Sequence, residues 1–483
     1  MGMINELTIL ADQVMKERGL LFEFSQEVLT QANETNNPAP LSENYVDLRS
    51  LLWCSIDNDD SQDLDQLTYG EKKDKNKHTL WIAIADVTEL ISKGSPVDIH
   101  AQTNTTSVYT PGKIFTMIPE KFSYNLTSLN ENEDRVAMVV KIEINENGEI
   151  ESSSIFQAIV HNYAKLTYNS IGDWLEGKIS LPEKVKKIDG LEKVLKTQNE
   201  AAQILRKRRH ELGSLTLHSS EARVKIKSED QITIKISPHN LAHQLIEEFM
   251  IATNQCMVQH FNDAKIASLR RVVRVPKNWP RIVEVANSFG EQLPEQPNSK
   301  ALDEFLVKRL KADPDTFPDL SLTIIKLLGR GEYIVENDKD KPVGHFGLAV
   351  SNYTHSTAPN RRFPDVITQR QYKAFLRKEK APYSLEELYH LAKFCTQQED
   401  AATKVERQVN KSAAALVLSP RIGENFKGII TGINDQGIWV RIFEPAVEGK
   451  IVKTFEKLHV GDKVTVELKY VNVKKGFIDF ICH

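Results

Sequence analysis

The chain has 483 residues, 40% of them hydrophobic, 7% aromatic and 27% charged, an ordinary globular composition with length for roughly two to four domains. A formal net charge of −4 excludes the bulk basicity of a protein that coats nucleic acid, so any such contact has to be local. No apolar run approaches the ~20 residues of a membrane span, MGMINELTIL has no signal-peptide pattern, and Cys54, Cys256, Cys395 and Cys482 are too far apart for a C-x-x-C pair; the expectation is a cytoplasmic protein, off the membrane, with reduced thiols.

Ile4, Leu7, Leu10, Val14 and Met15 recur at helical spacing, and residues 26–33 suggest a second short helix. A polar, proline-containing linker, NETNNPAPLSEN, spans 33–44. Residues 1–45 are thus expected to form a helical arm, too short for an OB barrel, packed on the domain C-terminal to it. Residues 46–418 mix strands and helices. HTLWIAIADV (78–87) reads as a buried strand, and RVAMVVKIEI (135–144) and SSIFQAIVHN (153–162) as strands either side of the turn NENGE. LAHQLIEEFMIATNQCMVQHF (241–261) predicts a long helix, and residues 384–417 one or two more. Residues 424–483 change to short alternating strands with glycine turns, the pattern of a small closed β-barrel. There Phe426, Trp439 and Phe443 lie beside Lys427, Arg441 and Lys450, which suits a platform for single-stranded RNA or, for the aromatics, a barrel core.

The densest chemistry is acidic. Asp57, Asp59, Asp60, Asp63 and Asp65 fall within nine residues, just after the apolar LLWC. Asp63 and Asp65 share one side of an extended chain, and Asp57 reaches that side if the polar loop folds back. Carboxylates so crowded repel unless a cation lies between them, and oxygen donors without histidine or cysteine favour Mg²⁺ or Mn²⁺ over zinc. A solvated loop would also explain these residues. A calcium loop of the EF-hand kind needs a glycine and a glutamate that are not at their positions here. Arg361 and Arg362 offer a phosphate clamp, with a structural ion pair to Asp365 as the other reading. The run Arg206 to His210 is read as a solvated helix face or a phosphate contact, and Glu247, Glu248, His243 and His355 as structural groups.

SIDNDDSQDLDQL resembles the signature of the ribonuclease II/ribonuclease R family, the RNB domain, and the likeness continues in order through 82–138, 164–176, 241–254 and YTHSTAPNRRFPDV (353–366). GIITGINDQGIWVRI (428–442) is similar to an S1-type barrel. The resemblance implies a mixed α/β (α+β) RNB catalytic domain over 46–418 and an S1-like OB barrel over 424–483. It implies a monomeric, Mg²⁺- or Mn²⁺-dependent 3′→5′ exoribonuclease that hydrolyses single-stranded RNA processively to nucleoside 5′-monophosphates. By the same resemblance Asp57, Asp63 and Asp65 would be metal ligands, with Asp63, Asp65 and Arg361 catalytic. Tyr109 would pack on the 3′-terminal nucleotide, Tyr168 would line the RNA channel, and Arg362 and Glu406 would assist near the RNA end. Four features depart from the family. Gln66 stands in place of a fourth aspartate, Ala267 in place of a second aromatic, and Ala-Pro-Asn-Arg at 358–361 in place of Ser-Pro-Ile-Arg; the N-terminal cold-shock barrels are missing. Asp59 or Asp60 is expected to turn inward and restore the charge that Gln66 lacks. Two other functions stay open: a catalytically impaired RNB-fold RNA-binding protein, and a structural partner in an RNA-processing assembly.

Overall fold

Strand alternation disappears where a strand is covered on both faces, and Leu80, Ile82, Ala83, Ile84 and Ala85 are all buried in this way. The computed structural model describes residues 2–482 other than 75–76, 218–221, 229–230, 237–238, 315, 338–341, 435–436 and 455–456. In it the strand Lys77–Ala85 lies between Gln66–Asp74 and Asp134–Asn145. The 18-residue strand Ile150–Thr167 is long enough to serve two neighbours. Its first part runs antiparallel to Asp134–Asn145, and its last residues run parallel to Trp53–Asp57, so the sheet curls round and closes on itself. Small residues fill one face of the curl, with Ala83, Ala85, Ala137 and Ala158 around Trp53. The other face presents Ile82, Ile84, Val140 and Ile142 to helices Leu191–Glu211 and Leu241–Asp263.

The segment 384–417 forms a single helix, Leu385–Leu418 of 34 residues, opened by a capping box between Ser384 and Glu387. Helix Met3–Glu17 packs on it through Leu10, Ala11 and Val14 against Ala402, Val405 and Val409. At its far end Ala414, Ala415 and Leu418 enter the core of a closed five-stranded barrel that starts at Asn425. The barrel corrects part of the proposed RNA platform. Phe426 is buried against Phe480, and Arg441 is committed to Asp319 at 2.9 and 2.7 Å. Phe443 and Lys427 remain exposed. Asp319 belongs to helix Phe317–Leu328, part of a helical insertion with its own core around Trp279, Phe305 and Ile324. Among the described residues no helix is long and apolar enough to cross a membrane, and the four cysteines are buried.

The basic run 206–210 is mostly spent internally. Arg208 pairs with Glu149 and His210 with Asp303. Arg209 grips the buried Glu248 through Nε at 2.7 Å and Nη2 at 2.6 Å, which places Glu248 in the scaffold. Replacing one partner of such a pair strands a buried charge, at a cost of about 3 kcal/mol or more. Arg209→Met is therefore expected to lower the melting temperature, and Arg209→Met with Glu248→Leu to recover most of the loss; thermal unfolding of the two variants checks this.

Candidate active site

The acidic loop joins two antiparallel strands at one end of the sheet. Trp53–Asp57 delivers Asp57 opposite Thr167, and Gln66 starts the next strand opposite Ile84. Between them the backbone is pinned. Leu64 N donates to Ser128 Oγ and Ser128 Oγ to the Gln62 carbonyl, both at 3.0 Å, and Ala85 N donates to the Asp65 carbonyl at 2.9 Å. Lys165 Nζ binds the Ser61 carbonyl. A tight turn, Ser61 N to Asn58 O at 3.2 Å, leaves Asp59 and Asp60 exposed at its tip. Asp59 accepts from Asn169 Nδ2 at 2.6 Å. Neither turns inward, so the expected restoration of charge beside Gln66 does not occur; Gln66 is half-buried at the head of its strand.

Asp63 lies near enough to Asp57 and to Asp65 for its charge to act on both. Asp57 Oδ1 accepts from Asn58 N at 2.8 Å and Ser61 Oγ at 2.7 Å. Asp63 Oδ2 accepts from the Tyr109 hydroxyl at 2.9 Å. Asp65 is buried, and its Oδ1 accepts from Asn360 N at 3.0 Å while Oδ2 lies 3.4 Å from Arg361 Nε. Burial pushes the Asp65 carboxyl up to about 8; Arg361 opposes this and the Asp63 charge adds to it. Burial raises Asp57 too, and Asp63 again adds to the rise. Among the described residues no three histidine, cysteine, aspartate or glutamate side chains stand close enough to enclose an ion as they are. Each of the three aspartates nonetheless keeps one oxygen without a hydrogen bond among the described residues. An oxygen-only donor set in which the charge of Asp63 raises both Asp57 and Asp65 suits a hard divalent cation.

Arg361 is set by the loop that carries it. Asn254 Oδ1 accepts from Ser356 N and Oγ, both at 2.8 Å, Ala358 N donates to Asp365, and Ser107 N donates to the Arg361 carbonyl at 3.0 Å. The Arg361 side chain is 43% exposed, so its guanidinium faces both Asp65 and solvent. Arg362 turns the other way. Its Nη2 donates to the fully buried Asp365 at 2.8 Å, and the expected substrate contact is replaced by a scaffold ion pair.

Tyr109 lies on the hairpin Val108–Thr110/Lys113–Phe115, half exposed between two buried neighbours, with its backbone N held by Glu406 Oε1 at 2.9 Å. Glu406 thus reaches the site through Tyr109. Tyr168 opens helix Tyr168–Leu175 beside the acidic loop and stacks on His243, centroids 4.0 Å apart at 13°, so one ring face is already covered. Ala267 packs partly buried against a core cluster that includes Phe363. Sequence reasoning missed Asn360 as a contact. It is fully buried, its backbone N holds Asp65, and its side chain accepts from Thr127 Oγ1 at 2.5 Å; the only signal was its odd place in APNRR. Ser61, Lys165 and Asn169 were missed as well, because their roles arise from loop geometry.

A family model described as RNB domain matches residues 45–378, and a second, described as RNase II-type exonuclease C-terminal S1 domain, matches 424–481. Ribonuclease R of Escherichia coli is 29% identical over 474 residues, covering 90% of this chain and 57% of that protein; the chain spans a little over half the length of the first curated relatives it matches. Among solved structures, Mycoplasma genitalium RNase R in complex with ribose methylated single-stranded RNA is similar with a TM-score of 0.87 at 23% identity, over 99% of this chain and 78% of that one. A yeast pseudonuclease shares the fold with a TM-score of 0.73 at 18% identity, over 95% and 57%.

Proposed function

The chain belongs to the RNB-domain family, and from that premise we propose that it is a 3′→5′ exoribonuclease that hydrolyses single-stranded RNA to nucleoside 5′-monophosphates with Mg²⁺ or Mn²⁺. The observation that carries this reading is the facing of a buried Asp65 and a half-exposed Arg361, beside Asp57 and Asp63 that each keep an open oxygen. A divalent cation held by Asp57, Asp63 and Asp65 would supply Lewis-acid polarisation of the phosphate and an activated water. Arg361 presents a planar fork to the phosphate oxygens and offsets charge that builds there. Asp65, facing Arg361, would also orient or activate the attacking water. Tyr109 offers its ring to the terminal base, a contact of about 1–3 kcal/mol that tolerates any base. A 5′-labelled single-stranded oligoribonucleotide incubated with Mg²⁺ or Mn²⁺ is expected to shorten from its 3′ end with release of mononucleotides. RNA that is bound but not cut, with either metal, would reject the reading.

One observation favours a second reading, an RNA-binding protein with impaired catalysis: Gln66 carries no charge, and the loop does not compensate for it, since Asp59 and Asp60 face away. The two readings separate on a metal titration. One carboxylate a few ångströms from a cation is worth about 4 kcal/mol at an effective dielectric of 20, before desolvation offsets most of it. Gln66→Asp is therefore expected to lower the half-saturating metal concentration by roughly tenfold. An unchanged or higher value in Gln66→Asp would show that the missing charge is not limiting.

A further inference from the structure

Tyr109 touches the site at two points that a stacking role alone does not require. Its hydroxyl donates to Asp63 Oδ2 at 2.9 Å, and its backbone N is fixed by Glu406 at 2.9 Å. The hairpin is anchored on both sides of it. Val108 is fully buried among Leu10, Val14 and Val405, and Lys113 pairs with Asp12 at 2.5 Å. Gly112 turns the hairpin at φ +88, a left-handed conformation that favours glycine, and a Cβ there would meet Ile4 Cγ2 at 3.2 Å. A backbone mounted so firmly leaves the ring only its own side-chain torsions through which to move the hydroxyl. A carboxylate whose one oxygen receives a charge-assisted hydrogen bond is held in rotation about its Cβ–Cγ bond, which sets where the other oxygen points.

We propose that Tyr109 is a positioning residue for the metal site, its hydroxyl aiming Asp63 at the cation while its ring receives the 3′-terminal base, so that a seated RNA end and a bound metal stabilise each other. This rests on the proposed nuclease reading. The hydroxyl is an outer partner of a ligand, and loss of such a partner costs about 10–100-fold in metal affinity. The ring is a separate function, which Phe retains and Leu does not. Seating the base over the ring restricts its tilt, and the hydroxyl carries that restriction to Asp63. By linkage the metal must then tighten RNA binding by the same factor that RNA tightens the metal.

The test is Mn²⁺ binding by calorimetry to the full chain, alone and with a cleavage-resistant 2′-O-methyl oligoribonucleotide, together with RNA binding in chelator. Tyr109→Phe is expected to bind Mn²⁺ about 10–100-fold more weakly than wild type, to bind RNA normally in chelator, and to lose the mutual tightening. Tyr109→Leu is expected to lose metal affinity and RNA affinity together. Wild-type Mn²⁺ affinity in Tyr109→Phe would overturn the inference while leaving the nuclease reading standing. Failure of wild type itself to bind Mn²⁺ would overturn both. Equal RNA affinity in the Phe and Leu variants would remove the ring from the coupling and overturn it as well.

Discussion

The Asp65→Asn variant is expected to lose 3′-end hydrolysis by roughly a thousandfold or more, about 4 kcal/mol of transition-state stabilisation, while RNA association survives. Asn keeps the shape and can still accept from Asn360 N, but it cannot take a proton or bring charge to a cation. The same substitution carries a second signature in stability. The Asp65 carboxyl is pushed from 3.8 up to about 8 in the folded chain, so between those values the native state holds a proton that the unfolded chain has released. Native stability therefore falls as pH rises across that window. In chelator the wild type is expected to melt lower at pH 8 than at pH 5, whereas Asp65→Asn is flatter and melts above wild type at pH 8. Near-wild-type turnover, or identical pH dependence of melting in the two proteins, would sink the assignment of Asp65.

Arg361→Lys is expected to slow single-turnover cleavage at saturating RNA by about 100-fold, ~3 kcal/mol, even though the positive charge is kept. A guanidinium offers two parallel donors to a phosphate, whereas an ammonium is a point charge on a flexible stem. The pair it makes with the buried Asp65 is long, 3.4 Å, and lysine keeps a positive charge beside that carboxylate rather than stranding it, so the melting temperature should move little. Arg362→Lys should behave in the opposite way. Arg362 is bound to the buried Asp365, and its loss should register in stability before it registers in rate. If Arg361→Lys cleaved like wild type, Arg361 would be a scaffold residue too.

The elements with strong periodicity were legible in the sequence: the buried strand near 78–87, the strand pair either side of NENGE, the helix from Leu241, and the closing barrel all stand close to where their patterns put them. The period of a helix does not say whether a long apolar stripe is continuous, which is why 384–417 stayed ambiguous and proved to be one helix. Binary patterning also fails to tell an aromatic in a barrel core from one on its rim, so Phe426 was read as a surface group as readily as a core one. In the site, the D-x-D spacing was enough to place Asp63 and Asp65 together. The inward or outward turn of Asp59 and Asp60 depended on a hydrogen-bonded turn and on Asn169, far away in sequence. The two adjacent arginines show the limit most plainly. Charge and spacing alone treat Arg361 and Arg362 alike, and only the resemblance gave the first the larger role; an i,i+3 partner at the start of the following helix claims the second.

The helix Leu385–Leu418 touches the hairpin of Tyr109 at Glu406 and the barrel at Ala414, Ala415 and Leu418. Those two stations are some nine residues apart, about 13 Å along a continuous helix axis. A stiff rod, not a tether, therefore separates the barrel from the terminus clamp. On the proposed reading, with RNA lying also on the exposed Phe443 and Lys427 of the barrel, the molecule would work as a caliper. An RNA chain that reaches both stations has a minimum length fixed by helical rise, and shortening past it costs one grip all at once. Inserting seven residues, close to two turns, between Glu406 and Ala414 would lengthen the caliper by about 10 Å and rotate one jaw against the other by only about 20°, and should lengthen the last fragment released.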